Sequence, residues 1–233
     1  MTRRTGGSKG LDRATIITTA LDFIDARGAQ GLTMRALAEE LDVVPMALYR
    51  YVHGREDLLE AVVARLLEGV RHDLDDHLAR DSWQGYLQTL ASSVRRIATG
   101  HAAAFPLVAT RHPAAPWLRP PLRSLELVQD FLGTLRGHGF TDEQAVDAYR
   151  AFSSFLLGQL LLEAASRGAE TSPVEVALDE GDAQVANADG GLDLSRLPDV
   201  ARLRPLLSED RSTEEFETAL ETLLDRLELR LSQ

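Results

Sequence analysis

The segment "DVVPMALYRYVHGRED", Asp42 to Asp57, brings Tyr49, Arg50, Tyr51, His53 and Arg55 close together. Aromatic and basic groups so closely spaced are poor material for a buried core. They suit a different chemistry. A guanidinium can donate two hydrogen bonds to a guanine edge, a phenol can reach a phosphate oxygen, and a small apolar side chain can touch a thymine methyl. On a short helix Met46, Ala47, Tyr49, Arg50 and Tyr51 face outward, and Arg35 and Arg55 flank them as phosphate contacts. This is the equipment of nucleic-acid recognition, not of bond making.

Little else in the chain could react. The absence of cysteine excludes disulfides, thiolate zinc sites and cysteine nucleophiles together. The six histidines form no His-Glu-x-x-His run, and no glycine-rich phosphate loop is present. Glu68, His72 and Asp76 recur at intervals of four, a spacing that could share a metal but more often marks a solvated helix face. No metal, no cofactor and no enzymatic activity are expected.

The charge distribution favours DNA over the net value. The chain carries -11 overall, yet residues 1 to 55 hold eight basic against six acidic residues, leaving -13 on the remainder. A small basic end on a large acidic body is the asymmetry of an interaction module. The start, "MTRRTGGSKG", has charge but no apolar segment behind it, and no run is long enough to span a bilayer, so a cytoplasmic protein without a membrane partner is expected.

Positioning such a face requires helices, and apolar residues at three and four spacing predict about ten of them with almost no strand. The first runs from Asp12 to about Arg27. Thr33 caps a second that ends near Leu41, Pro45 opens a third reaching Val52, and a fourth extends from Glu56 to about Leu78. Ser82 caps the next, and prolines break the stretch from His101 to Pro121. Two long helices, about Leu122 to Arg136 and Thr141 to Ser166, precede an acidic segment, 168 to 195, read as a mobile loop. Helices at Leu197 to Leu207 and Thr213 to Leu231 end the chain. Leu37, Ala38, Leu41, Val43 and Leu48 are spaced to pack the second helix on the third as a helix-turn-helix.

The stretch "LTMRALAEELDVVPMALYRYVHGREDLLEAV", Leu32 to Val62, resembles the DNA-binding domain of the TetR family of transcriptional repressors. The resemblance implies an all-α fold and a homodimer: a basic arm at 1–10, a three-helix DNA-binding domain at 11–57, and a helical effector-binding and dimerisation domain at 58–233. It implies operator DNA and a small-molecule effector as partners. Thr33, Arg35, Tyr49, Tyr51 and Arg55 match positions that contact phosphates or bases in the family. Asp42 stands where glycine is usual, Val44 where many members have a polar cap, and Arg55 where lysine is common.

The later chain resembles the tetracycline-repressor branch through "SWQGYL", "GHGFT" and the Phe155 to Gly158 pattern. In that branch a histidine and polar groups hold a magnesium-bound drug. The matching places Leu90 at an amide position and Val108 at the metal-binding histidine, so a more apolar effector is implied, although a shift of register could bring in His101 or His112. Leu90, Val94, Phe105, Trp117, Phe131, Phe152, Phe155 and Gln159 are the candidate pocket residues. The helix around Ala148 to Ala165 is apolar on nearly every side. Phe152, Leu156 and Leu160 with Phe216, Leu220, Leu223, Leu224 and Leu227 are therefore the expected four-helix dimer interface. Rival readings are a helical enzyme or carrier that uses the same cavity, or a regulator that answers to a protein partner.

Overall fold

The computed structural model describes residues 11–75, 80–110, 115–169 and 198–231. The arm at 1–10 and most of the acidic loop, 170–195, lie outside the described residues. The described elements are α1 (Arg13–Arg27), α2 (Met34–Glu40), α3 (Pro45–Leu48), α4 (Arg55–Leu74), α5 (Trp83–Gly100), a 3-10 turn at Phe105–Leu107, α6 (Leu125–Gly137), α7 (Asp142–Ser166), α8 (Pro198–Leu207) and α9 (Ser212–Leu231). No strand occurs among the described residues, and no helix there is long and apolar enough to cross a membrane.

Local chemistry sets most boundaries. Asp12 accepts from Thr15 N at 2.7 Å to start α1, and Gly28, at φ 77°, ends it in a conformation that a Cβ would strain. Thr33 starts α2 by accepting from Ala36 N at 3.0 Å. Between α2 and α3 the chain turns at Asp42, whose φ of 52° makes it the one left-handed non-glycine residue among those described. Aspartate tolerates that conformation better than most residues, so it can replace the usual glycine. The third helix is shorter than its sequence suggests, since α3 ends at Leu48 and Tyr49 to Tyr51 continue as turns. The fourth stops at Leu74 rather than Leu78, capped by Asp75.

The chain divides into two compact units, Met1–Thr171 with Thr222–Gln233, and Ser172–Glu221. In the first, α1 and α5 both pack on α4, and α7 packs on α5 and α6. Contact on two sides explains why α4 buries Leu58, Leu59, Val62, Val63, Leu66, Leu67 and Val70 around much of its circumference. Thr141 and Gln144 form a reciprocal capping box at the start of α7. In the second unit α8 carries Pro205 within it and exposes Leu206 and Leu207, and Phe216 and Leu220 of α9 are buried.

Candidate nucleic-acid interface and effector cavity

Leu32, Leu37, Ala38, Leu48 and Val52 are fully buried and fix α2 against α3. With that side sealed, the opposite side of α3 must face solvent. Met46 is 73% and Tyr49 45% exposed, Arg50 is exposed, and Ala47 and Tyr51 are half-buried. Arg50 has no ion pair or hydrogen bond among the described residues. Arg35 pairs with Glu39 at 3.0 Å on an open surface, where such a contact is worth about 0.3–0.5 kcal/mol and is readily exchanged for a phosphate. Thr33 accepts the Ala36 N–H, which leaves its own hydroxyl proton to donate.

Arg55 occupies a different environment. Its Nε and Nη2 donate to the carbonyls of Leu32 and Ala29, each at 2.9 Å, so it ties the start of α4 to the α1–α2 connection. Only part of its guanidinium is left to meet a phosphate. Asp57 extends the same framework: one oxygen accepts from His53 N at 2.8 Å and the other from Arg13 Nη2 at 3.2 Å.

A small cavity opens among α5, α6, α7 and the irregular segment between α5 and α6. Leu90, Val94, Val108, Leu122, Leu127, Phe131, Tyr149, Phe152, Ser153, Leu156 and Leu157 line it. Only about 30 Å³ can hold the centre of a water molecule, so a drug-sized guest must push the walls apart. Tyr149 and Ser153 provide the wall's hydroxyls. The Tyr149 hydroxyl donates to Pro120 O at 3.0 Å, and burial pushes its pKa up from 10.0 to about 12. Phe131 meets Tyr149 edge-on at 5.7 Å and Phe152 at 5.6 Å, which gives the wall an aromatic side.

Of the candidate pocket residues, the structure brings Leu90, Val94, Phe131 and Phe152 together at the cavity. The others lie elsewhere. Phe105 is fully buried in the 3-10 turn, Trp117 is 72% exposed, and Phe155 and Gln159 are half-buried on another side of α7. Tyr149, Ser153, Leu156 and Leu157 complete a three-and-four pattern around Phe152, a signal present in the sequence. Val108 and Leu122 come from irregular backbone that has no period to read.

The expected dimer residues also lie differently. Phe152 and Leu156 face the cavity, and Leu160 is fully buried within the single chain. Phe216, Leu220, Leu224 and Leu227 are no more than 6% exposed before any second copy is added, and Leu223 is half-buried. The cause is simple: within the single chain these apolar side chains are already largely covered. Over its apolar stretch from Ala151 to Leu162, α7 leaves Ser154, Gly158 and Leu162 outward, with Ala151, Phe155, Gln159 and Leu161 at the margin.

His101 is not at the cavity; its Nδ1 lies 2.6 Å from Asp25 Oδ2, joining α1 to the end of α5. His112 and Asp76 fall outside the described residues. No group of three or more potential metal ligands occurs among the described residues.

An exposed recognition face on a helix-turn-helix, joined by α4 to a helical body with an apolar chamber, defines a DNA-binding regulator. Residues 16–62 match the model for bacterial regulatory proteins of the tetR family, and residues 77–231 match that for the tetracyclin repressor-like C-terminal domain. The chain therefore belongs to the TetR family. It is 27% identical over 226 residues to the HTH-type transcriptional repressor DrrR1 of Streptomyces coeruleorubidus, covering 96% of this chain and 78% of that protein. It is 31% identical over 153 residues to the class D tetracycline repressor protein of Escherichia coli, covering 65% of this chain and 66% of that one. A possible TetR family regulator from Streptomyces coelicolor A3(2) shares its structure with a TM-score of 0.70 at 30% identity, over 94% of this chain and 99% of that one. The same fold, at a TM-score of 0.65 and 24% identity, is found in ActR of Streptomyces coelicolor in complex with actinorhodin, over 96% of this chain and all 100% of that one.

Proposed function

We propose that the chain is a dimeric repressor that reads operator DNA with α2 and α3 and leaves it when an uncharged, largely apolar molecule enters the cavity. The cavity wall carries this reading. Nine of its eleven residues are aliphatic or phenylalanine, none is charged, and one of its two hydroxyls already donates to Pro120 O. Placing an unpaired ion against such a wall would cost several kcal/mol or more, so the guest that fits is neutral. An enzyme would need an activated nucleophile there, and no histidine, lysine or carboxylate lines the wall to take a proton from the Ser153 hydroxyl.

TetR-family regulators bind operator DNA and small-molecule ligands and act as dimers. In this chain Arg50 is the base-reading side chain, with Met46 and Ala47 beside it and Thr33, Arg35, Tyr49, Tyr51 and Arg55 as backbone contacts. The second copy packs on the outward stripe of α7 that includes Gly158 and Leu162. The two recognition helices would then lie about 34–36 Å apart, one turn of DNA.

The test begins with an operator selected from a random duplex pool. N-phenyl-1-naphthylamine, which is neutral, and 1-anilinonaphthalene-8-sulfonate, its anionic relative, then serve as cavity probes. The neutral probe should bind saturably and weaken operator binding, and the sulfonate should do neither. Failure to select any sequence, or equal binding of both probes, would overturn the reading.

A further inference from the structure

We propose that Arg123 is a positioning residue that links the cavity wall to the DNA-reading unit through Glu56 in the first turn of α4. The inference rests on the reading of the cavity as the effector site. Arg123 follows Leu122, which lines the cavity, and its backbone N donates to the carbonyl of Val108, another wall residue, at 3.2 Å. Its side chain is only 6% exposed and points away from the cavity, where Nη2 donates to Glu56 Oε2 at 3.0 Å and Nη1 to Thr110 Oγ1 at 3.1 Å. Glu60 Oε1 lies 4.0 Å from the same Nη2.

This arginine is not placed as a purely structural side chain would be. Its Nε is the one buried side-chain polar atom without a partner among the described residues. A buried donor left unmatched opposes the arrangement that holds it. The contact therefore favours this geometry less firmly than a fully matched guanidinium would, which suits an element that must change partners.

Beyond Glu56 the connection is continuous. Asp57, the next residue, accepts from His53 N and from Arg13, and Arg13 Nε also donates to Tyr51 O at 3.3 Å. Displacing the first turn of α4 thus acts on both ends of the segment that follows the recognition helix. Leu122 and Val108 sit on irregular backbone, which yields before α5 or α7 when a guest enlarges the cavity. The Asp25–His101 pair also joins α1 to the body, but neither residue lines the cavity, so a guest has no direct hold on it.

The experiment uses an overpacked cavity as its probe. Ser153→Phe fills the cavity from within and should lower affinity for the selected operator between about 5- and 150-fold, the range of a two-state coupling. Glu56→Gln with Glu60→Gln removes the carboxylates that face Arg123 and should leave operator affinity within about threefold of the parent, because neither side chain is assigned to DNA. Combined, the three substitutions should restore most of the affinity that Ser153→Phe removes. An unchanged loss in the triple variant would overturn the link and leave the cavity's coupling to DNA intact. No loss from Ser153→Phe alone would overturn the link and the repressor reading together. Should Ser153→Phe melt as a partly folded protein, Ser153→Leu provides the same comparison with a smaller insertion.

Discussion

Arg95 on α5 and Glu163 on α7 face each other through two parallel hydrogen bonds, Nε to Oε2 and Nη2 to Oε1, each 3.0 Å long. Their side chains are 18% and 3% exposed, so the pair is largely removed from water, and Arg167 adds a contact to Glu163 at 3.3 Å. Removing Glu163 takes from Arg95 its bidentate carboxylate in a largely dry setting. Glu163→Ala is expected to cost about 3–5 kcal/mol, the range for breaking such a pair. Urea denaturation should show the loss as a lower midpoint. A change below about 1 kcal/mol, typical of surface pairs, would mean that water reaches this contact.

Arg50 and Arg55 should separate by stability as well as by DNA binding. Arg50 has no protein partner among the described residues, so Arg50→Ala should leave the melting temperature unchanged, remove about 1–3 kcal/mol of operator binding and relax one base position per half-site. Arg55 holds the carbonyls of Ala29 and Leu32. Arg55→Ala should therefore lower the melting temperature and weaken operator and random duplex alike. Melting curves and titrations of both duplexes distinguish the two residues.

This division was only partly legible in the sequence. Helix identity was accessible because caps and three-and-four periodicity are local: Thr33 and Ser82 each accept the backbone N–H expected of a cap, and Asp12 and Thr141, read as helix starts, cap their helices in the same way. The exposed side of α3 followed from the same periodicity. Arg55 shows where such reasoning stops, since its carbonyl partners lie 23 and 26 residues earlier and no spacing rule links them. The exposure of Trp117 and the burial of the dimer candidates within one chain were not legible for a related reason. Hydrophobicity reports that a side chain wants cover, not which surface supplies it, and the chain's own core took Phe152, Leu156 and Leu160. The cavity's Val108 and Leu122 lie on backbone without a repeat.

Alkali should destabilise the fold through the buried phenols. Tyr149 has its pKa raised from 10.0 to about 12 by burial, and Tyr86 is raised further by burial and by Asp130 beside it. The unfolded chain then gives up its protons first, so the stabilisation is complete below pH 10.0 and is lost as pH climbs towards about 12. Tyr149→Phe should begin less stable by about 1 kcal/mol, having lost its bond to Pro120 O, and then fall less steeply across that window. Equal slopes for the parent and the variant in urea melts from pH 9 to 12 would show that Tyr149 does not contribute.

Tetracycline with magnesium offers the sharpest test of the cavity, because a related repressor at 31% identity takes its name from that drug. Magnesium keeps near-octahedral oxygen coordination and sheds water reluctantly. The wall here offers it the Tyr149 and Ser153 hydroxyls and otherwise aliphatic or aromatic carbon, with Leu90 and Val108 among the lining residues. No carboxylate or imidazole is placed there to replace the lost water, so a chelated dication would stay largely uncompensated in an apolar site. Tetracycline with magnesium at millimolar concentration should leave the melting temperature and operator affinity unchanged, while the neutral naphthylamine probe alters both. A magnesium-dependent rise in melting temperature would show that the irregular segment between α5 and α6 rearranges to bring polar ligands into the cavity. The assignment of an uncharged effector would then be wrong.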